Sequence, residues 1–202
     1  MNRIITVGRE FGSGGREFGK RLAETLKVAY YDEEIIRAIA ERSELARDYV
    51  NEIVENRIRT YYPITIGNTL AGVPGEAVYS VNREIYTAQH DTLVEMAEKS
   101  DCLIVGRCAG HILREMKPFR IFVYADMASR VARCLANGEA GEDLSEKALE
   151  KKIRSVDKAR AQYYRFYTGH EWGERENYDL CINTSSGDLQ ALADMVAAYL
   201  QK

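Results

Sequence analysis

The chain alternates short apolar runs with longer segments in which apolar residues recur every three or four positions. Residues 4–7 form a β-branched run that ends at Gly8, the pattern of a strand buried on both faces of a sheet. Beyond the following glycine cluster, Phe18, Leu22 and Leu26 recur at spacings of four, which predicts an amphipathic helix. The chain is therefore predicted to begin with a strand, a glycine loop and a helix.

The same alternation continues to the end of the chain. Further strands are predicted at residues 28–31, 102–105, 120–124 and 178–183, and further helices begin near Glu33, Leu45, Glu76, Ala128, Glu146 and Leu189. Residues 61–75 are rich in helix-breaking residues and are predicted to form a mobile loop; these residues are Pro63, Gly67, Gly72, Pro74 and Gly75. Strands separated by helices predict an α/β fold in three layers, with a parallel sheet, right-handed crossovers and helices on both faces.

Ligands of such sheets bind beyond the carboxyl ends of the strands. The residues that follow the predicted strands are 8–15, Asp32, 106–108, Asp126 and 184–186, and most of them are glycines, charged residues or hydroxyl residues. We therefore expect the functional site at this edge of the sheet.

The segment GREFGSGGREFGK, residues 8–20, carries the strongest local signal. Its glycines let the main chain turn tightly and point N–H groups inward, and the N-terminus of the next helix adds a positive dipole. This pattern predicts a phosphate cradle; an ordinary tight turn between strand and helix is the alternative. The full pattern G-x-x-x-x-G-K-[ST] is not met.

Composition narrows the class of protein. A length of 202 residues suits one domain, and a net charge of -3 argues against a nucleic-acid partner. No window approaches ~18 apolar residues, so no membrane association is expected. The 4 cysteines lack a C-x-x-C pair, which favours buried thiols and a cytoplasmic location. The 3 histidines share no ligand spacing, so no protein metal site is expected.

Four segments together resemble the cytidylate-kinase-like family: GREFGSGGREFGKRLAE, YYDEEIIR, CLIVGRCAGHIL and KKIRSVDKARAQYYRFYTGHEWG. The resemblance covers most of the chain. It implies a P-loop kinase fold with a five-stranded parallel sheet, similar to that of nucleoside monophosphate kinases. It also implies a single domain, with a core at about 1–32 and 100–202, an inserted helical acceptor region at about 33–99 and a basic lid at about 145–175.

The resemblance implies a donor-phosphate site at Gly12, Ser13, Gly14, Gly15, Arg16, Glu17, Lys20 and Arg133. The usual loop lysine, which follows the β- and γ-phosphates, is replaced by Gly15, and the hydroxyl that helps to hold Mg²⁺ is replaced by Glu17. Arg16 is the preferred substitute cation, with Lys20 one helical turn further on. A surface arginine at a helix start is the alternative for Arg16. Arg133 matches an arginine that lies against the adenine base in related kinases.

On the acceptor side, Arg107 follows a predicted buried strand, and its forked guanidinium suits bidentate binding of a phosphate. It matches the Gly-Arg that cytidylate kinases place against the acceptor phosphate; a structural ion pair is the alternative. Cys108 stands where those kinases carry an aspartate, which opens the choice of acceptor. Asp32 and Arg37 match residues near the acceptor nucleotide.

The basic segment 151–165 resembles the R-x-x-D-x-x-R lid pattern through Arg154, Asp157 and Arg160. Arg154 and Arg160 are predicted to close over the transferring phosphoryl group, where cations offset the developing charge. The alternative for this run of charges is a solvated helix face.

The resemblance implies phosphoryl transfer from ATP, with Mg²⁺, to a nucleoside monophosphate such as CMP or dCMP, or to a similar small phosphorylated acceptor. The expected partners are small-molecule nucleotides, and assembly into a homo-oligomer is left open. Two alternatives remain. The missing loop lysine favours a catalytically weak nucleotide-binding regulator, and Cys108 favours a kinase of a non-nucleotide metabolite.

Overall fold

The computed structural model describes residues 2–44, 74–137 and 145–201, with side chains described from residue 83 onward in the helix that begins at Pro74. The helix expected at 45–59 and most of the loop expected at 61–75 lie outside these residues. In the described parts of the chain, the predicted strands and helices are present, and their ends differ from prediction by about two residues.

The sheet has five strands, β1 (Ile4–Arg9), β2 (Ala29–Tyr31), β3 (Cys102–Val105), β4 (Phe119–Tyr124) and β5 (Leu180–Asn183). Their order is β2-β3-β1-β4-β5 and every neighbouring pair is parallel. In the central strand, Ile5 pairs with Leu103 on one side and Phe119 on the other. The connections leaving β1 and β3 run to opposite halves of the sheet, which is where ligand crevices form in such folds.

The described residues contain seven α-helices: α1 (Gly15–Leu26), α2 (Glu33–Ser43), α3 (Pro74–Lys99), α4 (Ala109–Ile112), α5 (Met127–Ala136), α6 (Glu146–Thr168) and α7 (Leu189–Leu200). Helix α3 begins at Pro74, inside the stretch predicted as a loop, because the first turn of a helix needs no N–H from proline. Helix α4 and the 3₁₀ turns Arg114–Met116 and Arg175–Asn177 are too short to leave a periodic apolar pattern.

Two apolar layers flank the sheet because successive strand side chains point to opposite faces. Ile5 and Val7 pack with Phe18 of α1 and Val196 of α7. Ile4 faces the other way, into a cluster formed with α2, α3 and α4. A smaller cluster joins α5 to α6. The result is the three-layer α/β architecture predicted from the alternation.

Among the helices that the structure describes, none combines the length and the apolar character needed to span a membrane.

Candidate phosphate-binding loop and adjoining cavity

Residues 10–14 form the loop that links β1 to α1. Gly12 has a φ of 74°, a left-handed conformation, and a Cβ at this position would lie 2.8 Å from the Sγ of Cys134. Gly14 is also left-handed and caps α1. The first N–H groups of a helix have no acceptor within the helix, and they form the positive end of its dipole. The loop and the N-terminus of α1 therefore lie where the sequence predicts a phosphate cradle, and phosphate binding by them stays a prediction.

Buried hydrogen bonds hold this loop from the side of the sheet. Ser13 is fully buried, and its hydroxyl donates to the carbonyl of Glu10 at 2.8 Å. The hydroxyl of Thr184, which follows β5, donates to the carbonyl of Ser13 at 2.6 Å. The Ser13 side chain thus supports the loop backbone, and its expected contact with phosphate stays a prediction.

Arg133 of α5 braces the same loop. Its Nη1 donates to the carbonyl of Gly12 at 2.8 Å and its Nη2 donates to the carbonyl of Thr184 at 3.2 Å. The edge of the guanidinium is therefore engaged with the backbone at the mouth of the loop. The adenine contact expected of Arg133 stays a prediction.

Arg130, also on α5, links the loop to α6. It is buried, pairs with Glu10 at 3.2 Å and with Asp157, and donates from Nε to the carbonyl of Phe11 at 2.7 Å. Asp157 in turn accepts from the Phe11 amide at 2.8 Å. Burial raises the pKa of Glu10, while the Ala125 amide and Arg130 act in the opposite direction. This network, centred on the buried Arg130, fixes α6 against the phosphate loop.

The two predicted lid arginines lie in different places. Arg160 donates from Nη1 to the carbonyl of Arg9 at 3.3 Å, and its guanidinium lies 5.7 Å from the ring centre of Phe11. Arg154 is 67% exposed and approaches Glu150 at 3.9 Å. Residues six apart are separated by about 240° around a helix, so both cannot face the loop. The structure brings Arg160 to the site and leaves Arg154 on the solvent side of α6.

A cavity of about 330 Å³ adjoins the loop beyond the carboxyl ends of β1 and β3. Its lining includes five arginines, Arg9, Arg107, Arg114, Arg120 and Arg160, and an aromatic wall of Tyr163, Tyr164, Trp172 and Tyr178. Among the lining residues that the structure describes, Glu176 supplies the single carboxylate. Arg120 is ion-paired outside this set, with Asp179 at 2.8 Å. Guanidinium groups of this kind are suited to bind an anionic ligand.

Three successive left-handed residues follow β3 at one end of this cavity. The φ angles are 78° at Gly106, 59° at Arg107 and 52° at Cys108. Such backbone is costly for residues other than glycine and persists where the surroundings enforce it. The carbonyl of Arg107 accepts a hydrogen bond from the buried side chain of Gln89 at 2.9 Å, and Tyr163 donates to the same Gln89 side chain at 3.1 Å. Helices α3 and α6 therefore hold Arg107 in place.

Cys108 is buried beside Arg107. Burial raises the pKa of its thiol to about 12, so the side chain is neutral at physiological pH. It lines the cavity at the position where related kinases carry an aspartate. The cavity therefore lacks that negative charge.

Asp32 follows β2 and is buried between two arginines. Its carboxylate lies 2.8 Å from Nε of Arg16 and 3.7 Å from Nη2 of Arg9. Arg37 is exposed on α2, outside the cavity lining that the structure describes. Of the two predicted acceptor residues, Asp32 lies next to the phosphate loop and Arg37 does not reach the described cavity.

The remaining predicted donor residues lie on the first turns of α1. The side chain of Arg16 is 48% exposed, Lys20 is exposed, and Glu17 pairs with Arg21 at 2.5 Å. No group of three or more His, Cys, Asp or Glu side chains that could hold a metal ion occurs in the described residues. The cradle itself fits nucleotide phosphates, and Mg²⁺ in such sites is bound through those phosphates with one or two carboxylates.

Sequence reasoning missed three residues of this site, Arg9, Glu10 and Arg130. Arg9 and Glu10 were read as part of the glycine segment, and Arg130 has the appearance of an exposed charge on an amphipathic helix. The available signal was Asp157, an acidic residue within a basic helix, which requires a cationic partner if it is buried.

The strand order, the glycine cradle after β1 and the arginines around the adjoining cavity define a P-loop kinase fold. The chain belongs to the cytidylate kinase-like family, whose model matches residues 4–186. Membership of this family supports phosphoryl transfer as the general class of chemistry.

Solved structures share the fold. An uncharacterised protein from Eubacterium ventriosum ATCC 27560 is 24% identical with a TM-score of 0.69, covering 100% of this chain and 99% of its own. The shikimate kinase from Bacteroides thetaiotaomicron is 15% identical with a TM-score of 0.58, covering 99% of each chain. The shikimate kinase from Acinetobacter baumannii in complex with shikimate is 17% identical with a TM-score of 0.55, covering 100% of this chain and 93% of its own. No curated protein matches the chain in sequence.

Proposed function

We propose that the protein transfers a phosphoryl group from ATP, with Mg²⁺, to a small anionic acceptor held in the arginine-lined cavity. The leading acceptor is a nucleoside monophosphate of the CMP or dCMP kind. The observation that carries the proposal is the position of Arg160 between the cradle and the cavity. Arg160 donates to the carbonyl of Arg9, the residue before the loop, lies against the ring of Phe11 in the loop, and also lines the cavity. A donor phosphate in the loop and an acceptor in the cavity would meet at this arginine.

The residues divide the task by position. Loop amides and the α1 N-terminus would hold the donor phosphates, and Arg107, fixed by Gln89, would hold the anionic group of the acceptor. Arg160 would neutralise charge on the group in transit. Phosphoryl transfer needs little beyond such positioning and positive charge, so no covalent intermediate on the protein is required.

The aromatic wall favours an acceptor with a planar ring, since tyrosine and tryptophan faces stack on bases. The neutral thiol of Cys108 favours the second candidate, a non-nucleotide metabolite, because an aspartate at this place is absent. A structural neighbour with the same fold holds shikimate. A catalytically weak nucleotide-binding regulator is the third candidate, favoured by Gly15 and Glu17 at the positions of the usual lysine and hydroxyl.

The test is ADP formation from Mg²⁺-ATP by the purified full-length protein with CMP, dCMP, UMP, AMP, shikimate and sugar phosphates as separate acceptors. For the best acceptor, Arg160→Ala is expected to lower kcat about 100-fold, as for other groups that stabilise transition-state charge. Arg165→Ala is the matched control, because Arg165 is 71% exposed on the same helix. Formation of ADP that does not depend on an acceptor, or ATP binding without turnover, would favour the nucleotide-binding regulator over the kinase.

Arg107→Ala separates the two ligand sites. We expect the KM for the acceptor to rise about tenfold or more, since a charged hydrogen bond is lost, and the Kd for ATP to stay within about twofold. Arg107→Lys, which keeps the charge, should lose less than alanine. Equal weakening of both ligands would remove Arg107 from the acceptor side.

A further inference from the structure

Arg9 is the last residue of β1 and lies between the phosphate loop and the cavity. It is 6% exposed, it lines the cavity, and its guanidinium lies 3.7 Å from the carboxylate of Asp32. Arg160 donates to its carbonyl. Burial of a guanidinium is costly, so its presence at this junction needs a physical reason.

Two glycines make room for this arginine. A Cβ at Gly15 would lie 2.5 Å from the Cβ of Arg9 and 3.2 Å from its Cγ, so the stem of the arginine covers the helix start. A Cβ at Gly106 would overlap the Nη1 of Arg9, so the guanidinium crosses the end of β3. Any side chain at either position would displace Arg9 from its place.

Position 15 is where the usual loop pattern places its lysine. A lysine there and Arg9 in its present position exclude each other, because both would occupy the space beside the first turn of α1. The buried position of Arg9 therefore requires that position 15 carry no lysine. The positive charge is carried by Arg9 of β1, the strand before the loop, and Gly15, the first residue of α1, has no side chain.

Arg16, the cation expected from the sequence, is less suited to this task. Its side chain is 48% exposed and its Nε is bonded to Asp32 at 2.8 Å, while the side chain of Arg9 is 7% exposed. Charge in a less solvated position interacts more strongly with a phosphate.

We infer that Arg9 supplies the phosphate-binding cation of the loop, in place of the lysine absent at position 15. It would contact the terminal phosphate of the donor nucleotide at the side facing the cavity. The inference rests on the proposed function only in requiring that the loop binds a nucleoside triphosphate; it does not require any particular acceptor. An always-charged, forked guanidinium can donate two hydrogen bonds to one phosphate, which an ammonium group cannot match in geometry.

The experiment compares affinities for ATP and AMP, both with Mg²⁺, measured by titration calorimetry on the full-length protein. Arg9→Ala is expected to weaken ATP binding about tenfold or more while AMP binding stays within about twofold, because the contact is to the terminal phosphate. Arg9→Met keeps the stem over Gly15 and removes the charge, and it should show the same selective loss. Arg21→Met is the control and should change neither affinity, because Arg21 is half-buried on the same helix and bonded to Gln190 of α7.

A reciprocal exchange tests the steric part of the inference. Gly15→Lys alone places two side chains in one space and should weaken ATP binding. Arg9→Gly combined with Gly15→Lys removes the Cβ of Arg9 that a side chain at position 15 would meet, and it should recover most of the ATP affinity lost in Arg9→Gly alone. Circular dichroism and thermal melts report whether each variant is folded. Asp32 keeps Arg16 as a partner in all of them, so its charge is not left alone.

Each outcome decides one question. A selective loss in Arg9→Met with recovery in the double variant supports the inference. Unchanged ATP affinity in Arg9→Met, or a selective loss in Arg16→Ala alone, assigns the cation to Arg16 and overturns it. If the unaltered protein binds ATP no more tightly than AMP, the loop does not bind the terminal phosphates of ATP, and both the inference and the proposed function are wrong. ATP preference without turnover of any acceptor rejects the kinase proposal while leaving the Arg9 result standing.

Discussion

Gly12 lies where the phosphate loop packs against helix α5, and the close contact is possible because glycine has no side chain. Its backbone is left-handed, and the Sγ of Cys134 and the carbonyl of Arg130 both lie within 3.0 Å of where a Cβ would stand. Gly169, at the end of α6, has almost the same φ of 73° with nothing within 4 Å of such a Cβ. The two glycines therefore share a backbone conformation and differ in their surroundings.

Gly12→Ala and Gly169→Ala should separate these two effects on stability. Gly169→Ala is expected to cost about 1 kcal/mol, the strain of a left-handed alanine. Gly12→Ala should cost about 2–4 kcal/mol, because the contact with Cys134 adds to that strain. Free energies of unfolding from urea titrations measure both. Equal losses would mean that α5 moves aside without cost.

At the scale of elements, α6 is tied to the phosphate loop by one carboxylate. Asp157 contacts both the Phe11 amide and Arg130, which is buried, whereas the neighbouring pair of Glu150 and Arg154 is exposed with its charges 3.9 Å apart. A buried charge that loses its partner is far more costly than a lost surface pair. The position of Arg160 over the loop therefore depends on Asp157.

Asp157→Asn is expected to destabilise the fold by about 2 kcal/mol, since Glu10 still partners Arg130 while one charged hydrogen bond is lost. Glu150→Gln, on the same helix, should change stability by less than about 0.5 kcal/mol. Hydrogen exchange should also become faster in the amides of α6 near position 157. An Asp157→Asn protein as stable as Glu150→Gln would show that the contacts of Asp157 with Phe11 and Arg130 contribute nothing to stability.

The phosphate cradle and the core are the parts of this architecture that the sequence pattern located best. Several predicted site residues lie at the same edge of the sheet, as expected because the strands end there: 12–15, Asp32, Arg107 and Arg160. Lys20, Arg37 and Arg154 are exposed. The pattern could not separate these groups, because a charged residue on an amphipathic helix looks the same whether its partner is water or another element.

At the scale of the whole molecule, one ion pair joins the second half of the sheet. Asp179, just before β5, accepts from the backbone N, Nε and Nη2 of Arg120 in β4, at 2.8, 3.1 and 2.8 Å. These hydrogen bonds hold the pKa of Asp179 below its ordinary value of 3.8. The ionised carboxylate therefore stabilises the folded state above pH 3.8, and this contribution is lost as the pH falls through the lower pKa of the folded state.

Asp179→Asn should accordingly lower the free energy of unfolding at pH 7 by about 1 kcal/mol, a modest value because both side chains are partly exposed. The difference from the unaltered protein should shrink as the pH falls below 3.8. Urea titrations between pH 7 and pH 2.5 would measure this convergence. A difference that is constant over this range would mean that the charge of Asp179 plays no part.

The alternation of apolar segments determined the class of fold. A strand buried on both faces leaves a short continuous apolar run, and a helix buried on one face leaves apolar residues every three or four positions. The glycine cluster likewise determined where the tight loop after β1 forms, since left-handed backbone at Gly12 and Gly14 excludes most side chains. The tertiary structure alone decided which charges meet. Arg9 reaches across Gly15 and Gly106, and Arg130 meets Asp157, from positions far apart in sequence. Electrostatic and steric contacts depend on distance in space, and spacing along the chain records only those within one element.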